Sequence, residues 1–414
     1  MPPDSLVWLL LPLIVFDATR YCFAALTVWL TDVWHELQHT SNTNHLARSY
    51  CPSVSLIVAG LNEGDSLQGT LERLWGTYPR LQIIIVDDGS TDNMAEVARA
   101  FAKNHQGTIV ISKKRGGKSS GMNAGLAYAT GEITIVLDAD SELSKSAIWD
   151  IVQPLADPAV GAASGNVRVR NGSTNLVTRL QQYEYLRSVF LGRIVSSRLG
   201  ILGIVSGAFG AFRTELLRQM GGWDVGPGED EDIVLRIRKR GLRIEFVPQA
   251  ECYTDAPTSW KVLTKQRRRW EWAVVTFESR KHIDMANPLN RHFRLDNFFL
   301  FAERWIFNLL LPLWFWVYLI WLFCSLGLSG CVYPGLLFYV LYVLGDVIQL
   351  LVILWYSPHR GRDWRCIAVL PIMPLYQFYQ RLVTTLAIVE EMLSRRSFRD
   401  GFVPEHVRNA TWHW

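Results

Sequence analysis

Two aspartates one residue apart, Asp138 and Asp140, directly follow a run of strand-forming residues at 133–137. Neighbouring carboxylates repel each other unless a cation lies between them. One or two carboxylates, completed by oxygens of a substrate phosphate, are common protein ligands of Mg²⁺ or Mn²⁺. The pair therefore predicts a metal and diphosphate site, although an Asp-x-Asp pair also occurs in ordinary surface loops.

Polar side chains follow two other strand-like runs closer to the N-terminus. The first pair is Asn62 and Glu63, and the second is Asp87 and Asp88, which precede Gly89. Aspartates accept hydrogen bonds from a nucleobase or from ribose hydroxyls, and a glycine lets the backbone approach a ligand closely. This pattern predicts a nucleotide site, while a helix-capping turn would use the same residue types.

Lys118 follows two glycines and predicts a flexible cationic loop beside the diphosphate. The glycine spacing is not that of a P-loop. Three basic residues precede the glycines, so a solvated basic turn is the alternative.

Acidic residues occupy all four positions from 229 to 232, at the start of an amphipathic helical pattern. Acids at a helix N-terminus complement its dipole, which is one interpretation. Carboxylates so close together are costly unless one of them points into a site or has a raised pKa. A carboxylate of that kind is suited to act as a general base that deprotonates a sugar hydroxyl.

The segment 260–277 is amphipathic and contains the sequence Gln266-Arg-Arg-Arg269-Trp270. A basic interfacial helix at anionic lipid would have the same composition. We expect both properties together: some arginines face lipid headgroups, Arg269 faces phosphate, and Trp270 packs under an acceptor sugar.

An alternating α/β pattern is expected to position these clusters. The predicted strands are 53–59, 81–86, 108–112 and 133–137, and the predicted helices are 65–77, 93–104 and 119–130. Open parallel sheets bind ligands at the carboxyl ends of their strands. Three clusters, which begin at Asn62, Asp87 and Asp138, fall at such ends and should converge in one cleft.

Apolar residues make up 49% of the 414 residues and concentrate at both ends of the chain, as in membrane proteins. The sequence predicts an N-terminal transmembrane anchor at 1–34 and three transmembrane or re-entrant helices at 301–391, followed by a basic tail at 392–414. Arginines between the second and third of these helices favour a cytoplasmic loop, which places the intervening domain in the cytoplasm. A net charge of +4 without a basic stripe argues against nucleic-acid binding.

Taken in order, these motifs resemble those of membrane-embedded family 2 glycosyltransferases, such as chitooligosaccharide, hyaluronan, poly-N-acetylglucosamine and cellulose synthases. The resemblance covers about residues 53 to 280 and the flanking apolar segments. It rests on Asn62, Glu63, Asp87, Asp88, Lys118, Asp138, Asp140, Ser206, Gly207, Glu229, Asp230, Gln266, Arg269 and Trp270. It implies a Rossmann-like GT-A catalytic domain at 50–258, with amphipathic interface helices at 259–300.

The resemblance also implies roles for individual residues. Asp88 would bind the uridine, Asp138 the sugar nucleotide, and Asp140, with Asp138, the Mg²⁺ or Mn²⁺ ion. Asp230 would be the catalytic base, with Glu229 beside it. Gln266, Arg269 and Trp270 would form the Q-x-x-R-W motif of processive synthases.

The implied function is that of a processive inverting β-glycosyltransferase in the plasma (inner) membrane. It would polymerise a UDP-sugar and pass the polysaccharide across the lipid bilayer, with accessory export or regulatory proteins as possible partners. Gly228, where cellulose synthases have Thr, favours UDP-N-acetylglucosamine over UDP-glucose as donor. The alternatives are a non-processive transferase that acts on a lipid phosphate and a non-catalytic membrane protein.

Overall fold

The computed structural model describes residues 22–38, 49–226, 228–401 and 403–411. The first described helix, α1, spans Ala24–Gln38. The predicted anchor at 1–34 is therefore described only in its last third, and residues 1–21 lie outside the described part of the chain.

Four parallel strands form one half of the central sheet. They are β1 (Val54–Gly60), β2 (Leu81–Asp87), β3 (Ile109–Ser112) and β4 (Ile133–Asp138), in the spatial order β3-β2-β1-β4. The helices between them are α2 (Gly64–Leu74), α3 (Met94–Asn104) and α4 (Lys118–Tyr128). Isoleucine and valine fill both faces of β1, β2 and β4, so these strands read as continuous apolar runs. The predicted strands and helices and the α/β class are confirmed.

The other half of the sheet is mixed. Its strands are β5 (Glu142–Leu143), β6 (Val160–Val169), β7 (Phe209–Arg213) and β8 (Arg243–Thr254). β7 pairs antiparallel with β4 and with β6, and β8 pairs parallel with β6 and antiparallel with β5. The eight strands of this sheet follow the order β3-β2-β1-β4-β7-β6-β8-β5. The parallel sheet expected from the sequence thus continues into a second half that the sequence did not predict.

Six further α-helices of the described chain lie, along the sequence, between β5 and the first candidate membrane span. They are α5 (Ala147–Val152), α6 (Leu176–Tyr185), α7 (Gly192–Arg198), α8 (Thr214–Gln219), α9 (Glu229–Lys239) and α10 (Trp260–Ala273). Asn175 caps α6 by accepting a hydrogen bond from the Thr178 N–H at 3.0 Å, and Ser259 caps α10. A π-helical turn at 186–191 joins α6 to α7.

Two helical segments of the described chain are long and apolar enough to cross a membrane. The first, Leu295–Gly330, contains α11 (Leu295–Arg304) and α12 (Leu311–Gly330), and the second is α13 (Val332–Tyr356). Only 11% of the apolar window in the first and 28% in the second is buried, as expected for surfaces that face lipid.

The third predicted C-terminal span is not among these candidates within the described residues. After the short α14 (Arg360–Asp363), the chain forms a 3₁₀ segment at 364–372 and then α15 (Met373–Ser394). α15 contains Gln377, Gln380 and Arg381, and it packs along α10. These polar side chains lower the mean hydropathy of α15. They are accommodated because α15 packs against other helices of the protein. The last described helix is α16 (Glu405–Thr411).

Candidate active site

Lys118 connects two of the predicted clusters. It is the first residue of α4, and its Nζ lies 2.6 Å from Asp138 Oδ1 and 3.8 Å from Glu229 Oε1. Burial alone would lower the pKa of this lysine, but the two carboxylates outweigh burial and raise it. Lys118 is therefore a fixed cation between the end of β4 and the start of α9.

Asp140 is the carboxylate best suited to a metal ion. Burial, followed by the nearby Asp138 carboxylate, raises the pKa of Asp140. Its side chain accepts a hydrogen bond from Ser141 Oγ at 3.3 Å and forms no ion pair with any described residue. A divalent cation would supply the missing positive charge, so the donor set fits Mg²⁺ or Mn²⁺.

Metal binding here would also need substrate oxygens. Among the described residues no group of three or more His, Cys, Asp or Glu side chains is arranged around a common point. Asp138 and Asp140 would therefore hold the ion together with phosphate oxygens of a bound nucleotide.

Asp87 and Asp88 are both buried and bind nearby backbone groups. Asp88 accepts hydrogen bonds from Lys113 Nζ at 2.6 Å and from the Gly116 and Gly117 N–H groups at 2.9 and 2.7 Å. Asp87 accepts a hydrogen bond from the Ser90 N–H at 2.9 Å. These contacts position the glycine loop that precedes Lys118. The binding of uridine by Asp88 stays a prediction.

Asn62 and Glu63 lie at the adjacent strand end. Asn62 Oδ1 accepts a hydrogen bond from the Thr91 N–H at 2.8 Å, so it links the end of β1 to the loop after β2. Glu63 Oε2 accepts a hydrogen bond from Ser66 Oγ at 3.0 Å. Burial is the main cause of the raised pKa of Glu63, and the charges of Asp140 and Asp138 add to it. The three strand-end clusters therefore lie at one edge of the sheet, although Asp138 is the only one of their predicted residues that lines the cavity described below.

Asp230 has the environment that a general base requires. Its Oδ2 accepts a hydrogen bond from the Gly207 N–H at 3.2 Å, which places it beside Ser206 and Gly207. Burial and then the Glu229 carboxylate raise the pKa of Asp230 to about 7, while the Lys118 charge acts in the opposite direction. A base of this pKa is half ionised near neutral pH, where general base catalysis is most effective.

Gly207 and Gly228 are glycines for steric reasons. A Cβ at Gly207 would lie 3.0 Å from Lys118 Nζ and 3.4 Å from Asp230 Oδ2. Gly228 has a φ of +96°, and a Cβ there would lie 2.5 Å from the Ala273 Cβ of α10. A threonine would not fit at Gly228, since α10 approaches the start of α9 too closely.

The other two acids of the 229–232 cluster have structural contacts. Asp232 is fully buried and lies 2.9 Å from Arg236 Nε, 2.7 Å from Lys281 Nζ and 2.8 Å from His282 Nε2. Burial would raise its pKa, but the His282 hydrogen bond and the two cations outweigh burial and lower it. Glu231 is buried near Arg304. Both therefore do more than cap the helix.

A cavity of about 800 Å³ brings together most of the predicted site residues. The predicted residues that line it are Lys118, Asp138, Ser206, Gly207, Glu229, Asp230, Gln266, Arg269 and Trp270. The others lie outside its lining, and these are Asn62, Glu63, Asp87, Asp88 and Asp140. Asp230 and the Q-x-x-R-W residues therefore share one cavity, while the predicted nucleotide and metal residues other than Asp138 lie at the neighbouring strand ends.

The same cavity extends towards the candidate membrane spans. Phe307, Asn308 and Leu311 of the first span line it, as do Gln380 and Thr384 of α15. Polar and aromatic side chains in these helices give the cavity a lining that suits a carbohydrate.

Arg267 is an important residue that the sequence motif did not identify. It is buried, its Nη2 lies 2.9 Å from Glu184 Oε2, and the Tyr376 hydroxyl donates to the same oxygen at 2.6 Å. Its guanidinium lies 4.0 Å from the centroid of the Trp270 ring. Arg267 is therefore not one of the arginines that face lipid headgroups, because Glu184 pairs with it inside the protein. The expectation that some of the others do stays a prediction.

The chain is similar to several known proteins. Residues 52–273 match the family described as glycosyltransferase like family 2. The chain is 32% identical over 220 residues to a poly-beta-1,6-N-acetyl-D-glucosamine synthase of Staphylococcus epidermidis. The matched residues make up 52% of this chain and 53% of that protein. The chain thus spans about half the length of these curated relatives.

Two further proteins are similar over most of the chain. The probable glycosyltransferase YdaM of Bacillus subtilis is 27% identical over 374 residues, which cover 87% of this chain and 80% of that protein. The mannosyltransferase PcManGT from Pyrobaculum calidifontis, solved with GDP-Man and Mn²⁺, has a TM-score of 0.60 at 22% identity. That match covers 94% of this chain and 99% of the mannosyltransferase chain.

Proposed function

Because the chain belongs to the glycosyltransferase like family 2, we propose that it is a membrane-bound polysaccharide synthase that uses a UDP-sugar donor. Its GT-A-like fold and its activity as a glycosyltransferase agree with the sequence predictions. We propose in addition that it polymerises the sugar, that the donor is a UDP-sugar, and that the product passes across the membrane.

One observation carries this proposal. A single cavity contains the Lys118–Asp138 pair, the half-buried Asp230 carboxylate and the Trp270 ring, and it extends to the first candidate span. A transferase that adds one sugar to a soluble acceptor would not need a cavity that runs from the base to membrane helices. A growing polymer requires such a path.

The residues of the cavity support an inverting transfer. Asp230 takes the proton from the acceptor hydroxyl, which attacks the anomeric carbon on the face opposite the diphosphate. Lys118 and Arg269 stabilise the negative charge that develops on the departing UDP. A divalent cation held by Asp140 and Asp138 would neutralise part of the same charge.

Similarity to poly-β-1,6-N-acetylglucosamine synthases supports UDP-N-acetylglucosamine as the first candidate donor, with UDP-glucose as the second. The exposed apolar helices at 295–356 support an integral membrane protein, which we propose lies in the plasma (inner) membrane. The arginines of the loop at 357–365 support a catalytic domain on the cytoplasmic side. Membrane lipid and accessory export or regulatory proteins are its proposed partners.

The proposal is tested by measuring UDP release from purified protein with Mn²⁺ across a panel of UDP-sugars. We expect UDP-N-acetylglucosamine to give the fastest release and a product that a β-specific N-acetylglucosaminidase degrades. Release from no donor would contradict the proposed activity. A product with one sugar attached to lipid phosphate would favour the non-processive alternative.

A further inference from the structure

Arg193 of α7 lines the same cavity but has no part in the transfer described above. Its Nη1 donates a hydrogen bond to Ser164 Oγ at 2.9 Å, and the Ser206 N–H donates to that same oxygen at 3.3 Å. The next residue, Gly207, binds Asp230 through its own N–H. Arg193 is thus fixed on the side of the Ser206–Gly207 turn next to the catalytic base.

The charge of Arg193 is not neutralised by an ion pair within the described residues. This distinguishes it from Arg267, which pairs with Glu184, and from Arg304, which lies 3.2 Å from Glu278. Burial lowers the pKa of Arg193 to about 10, although the Asp230 charge raises it. The guanidinium is therefore still protonated at neutral pH and faces the cavity.

Arg193 is half-buried in this cavity, so its guanidinium completes its hydrogen bonds with water or with a ligand that displaces the water. A guanidinium carries five N–H donors, and Arg193 uses one of them on the neutral Ser164 hydroxyl. A purely structural arginine would be expected to have a carboxylate partner, as Arg267 and Arg304 do. The remaining donors are available to oxygen atoms in the cavity.

We propose that Arg193 is a substrate-binding residue that donates hydrogen bonds to the acceptor sugar, through its hydroxyl or acetamido oxygens. The position supports the acceptor rather than the diphosphate. Lys118 pairs with Asp138, where the diphosphate would lie, whereas Arg193 is held through Ser164 against the Ser206–Gly207 turn that binds Asp230. This inference rests on the proposed role of Asp230, because the acceptor hydroxyl must lie next to its base.

The test compares Arg193→Gln and Arg193→Lys with wild-type protein in direct binding measurements that do not depend on turnover. The probes are oligosaccharides of β-linked N-acetylglucosamine and of β-linked glucose, and separately UDP with Mn²⁺. We expect Arg193→Gln to weaken binding of the preferred oligosaccharide by about tenfold or more, since the lost hydrogen bonds come from a charged group. UDP binding should change by less than about twofold. Arg193→Lys should recover part of the oligosaccharide affinity but not the full value, since one ammonium replaces a planar fork.

Arg198→Gln is the matched control, because it lies on the same helix, is exposed, and does not line the cavity. It should leave both affinities unchanged. Unchanged oligosaccharide binding in Arg193→Gln would overturn the inference, as would a failure of wild-type protein to bind either oligosaccharide. A loss of UDP affinity instead would make Arg193 a diphosphate ligand and also overturn it. UDP release by wild-type protein, measured separately, decides the proposed function itself.

Discussion

The strand-end region and the helical region of the site are held together by different contacts. At the strand ends, the Asp88 carboxylate accepts a hydrogen bond from the N–H of Gly117, only 29 residues further along the chain. On the helical side, Glu184 binds Arg267 and Tyr376, which lie 83 and 192 residues further along. The first region is built from neighbouring loops, and the second depends on α6, α10 and α15, of which α15 packs against the candidate membrane spans.

This difference separates two properties of the enzyme. Donor binding should depend on the strand ends and tolerate changes in the membrane-proximal helices. Acceptor binding and elongation should depend on α10, α15 and the first span. Substitutions in the two regions should therefore change different kinetic quantities.

The largest effect is expected where the two regions meet, at Asp230. Asp230→Asn removes the base, so turnover should fall by at least ~10² while UDP binding is retained. In wild-type protein, turnover should fall as the pH decreases through about 7, because protonation of Asp230 removes the base. The measurements are UDP release from pH 5.5 to 9 and calorimetric binding of UDP. Equal loss of UDP binding and turnover would point to misfolding and contradict the assignment.

A loss of similar or slightly smaller size is expected at the strand ends. Asp140→Ala, and EDTA with wild-type protein, should each reduce UDP release by about 10² or more, because the diphosphate charge is then less well neutralised. Adding Mn²⁺ should restore the chelated wild-type protein but not the variant. Binding of UDP should weaken in the variant, whereas oligosaccharide binding should not. Full activity in EDTA would show that transfer does not require a metal ion.

A smaller effect, confined to the helical region, is expected at Trp270. Its ring is 45% exposed towards the cavity, and stacking of a sugar on it would contribute about 1 kcal/mol. Trp270→Ala should shorten the polymer and leave donor hydrolysis, which still releases UDP. Product length on a gel, beside total UDP released, measures both. Polymer of normal length at a normal rate would contradict the role of this ring.

The smallest effect on the product is expected at Arg267, whose guanidinium lies against the Trp270 ring. Arg267→Gln removes the guanidinium that lies 4.0 Å from the ring centroid, so the products should be several-fold shorter with an unchanged KM for the donor. Arg268→Gln is the matched control, since Arg268 pairs with Glu390 and lies 5.6 Å from the Trp272 ring instead. Equal shortening in both variants would mean that Trp270 does not depend on Arg267.

The sequence predicted the strand-end region better than the helical region, for physical reasons. Apolar runs such as 133–137 are bounded by polar turns, so both the strands and their terminal aspartates are local features. β6 contains alanines and glycines, and its position between β7 and β8 depends on long-range pairing. That half of the sheet was therefore missed.

Some site residues were missed because their positions also depend on long-range contacts. Arg193 follows no motif, and its position beside Asp230 requires β6, the Ser206–Gly207 turn and α7 to meet. The burial of Asp232 likewise depends on Lys281 and His282, about 50 residues away. A local pattern identified the acids as a group but did not separate the candidate base from the residues with structural contacts.

The most direct test of the central claim is the size of the product that purified wild-type protein makes from UDP-N-acetylglucosamine with Mn²⁺ in a lipid bilayer. We expect long polymer at early times, while most of the donor is still unreacted, because the acceptor stays in the cavity between additions. A product limited to single sugars, or one that lengthens uniformly only as the donor is consumed, would contradict it.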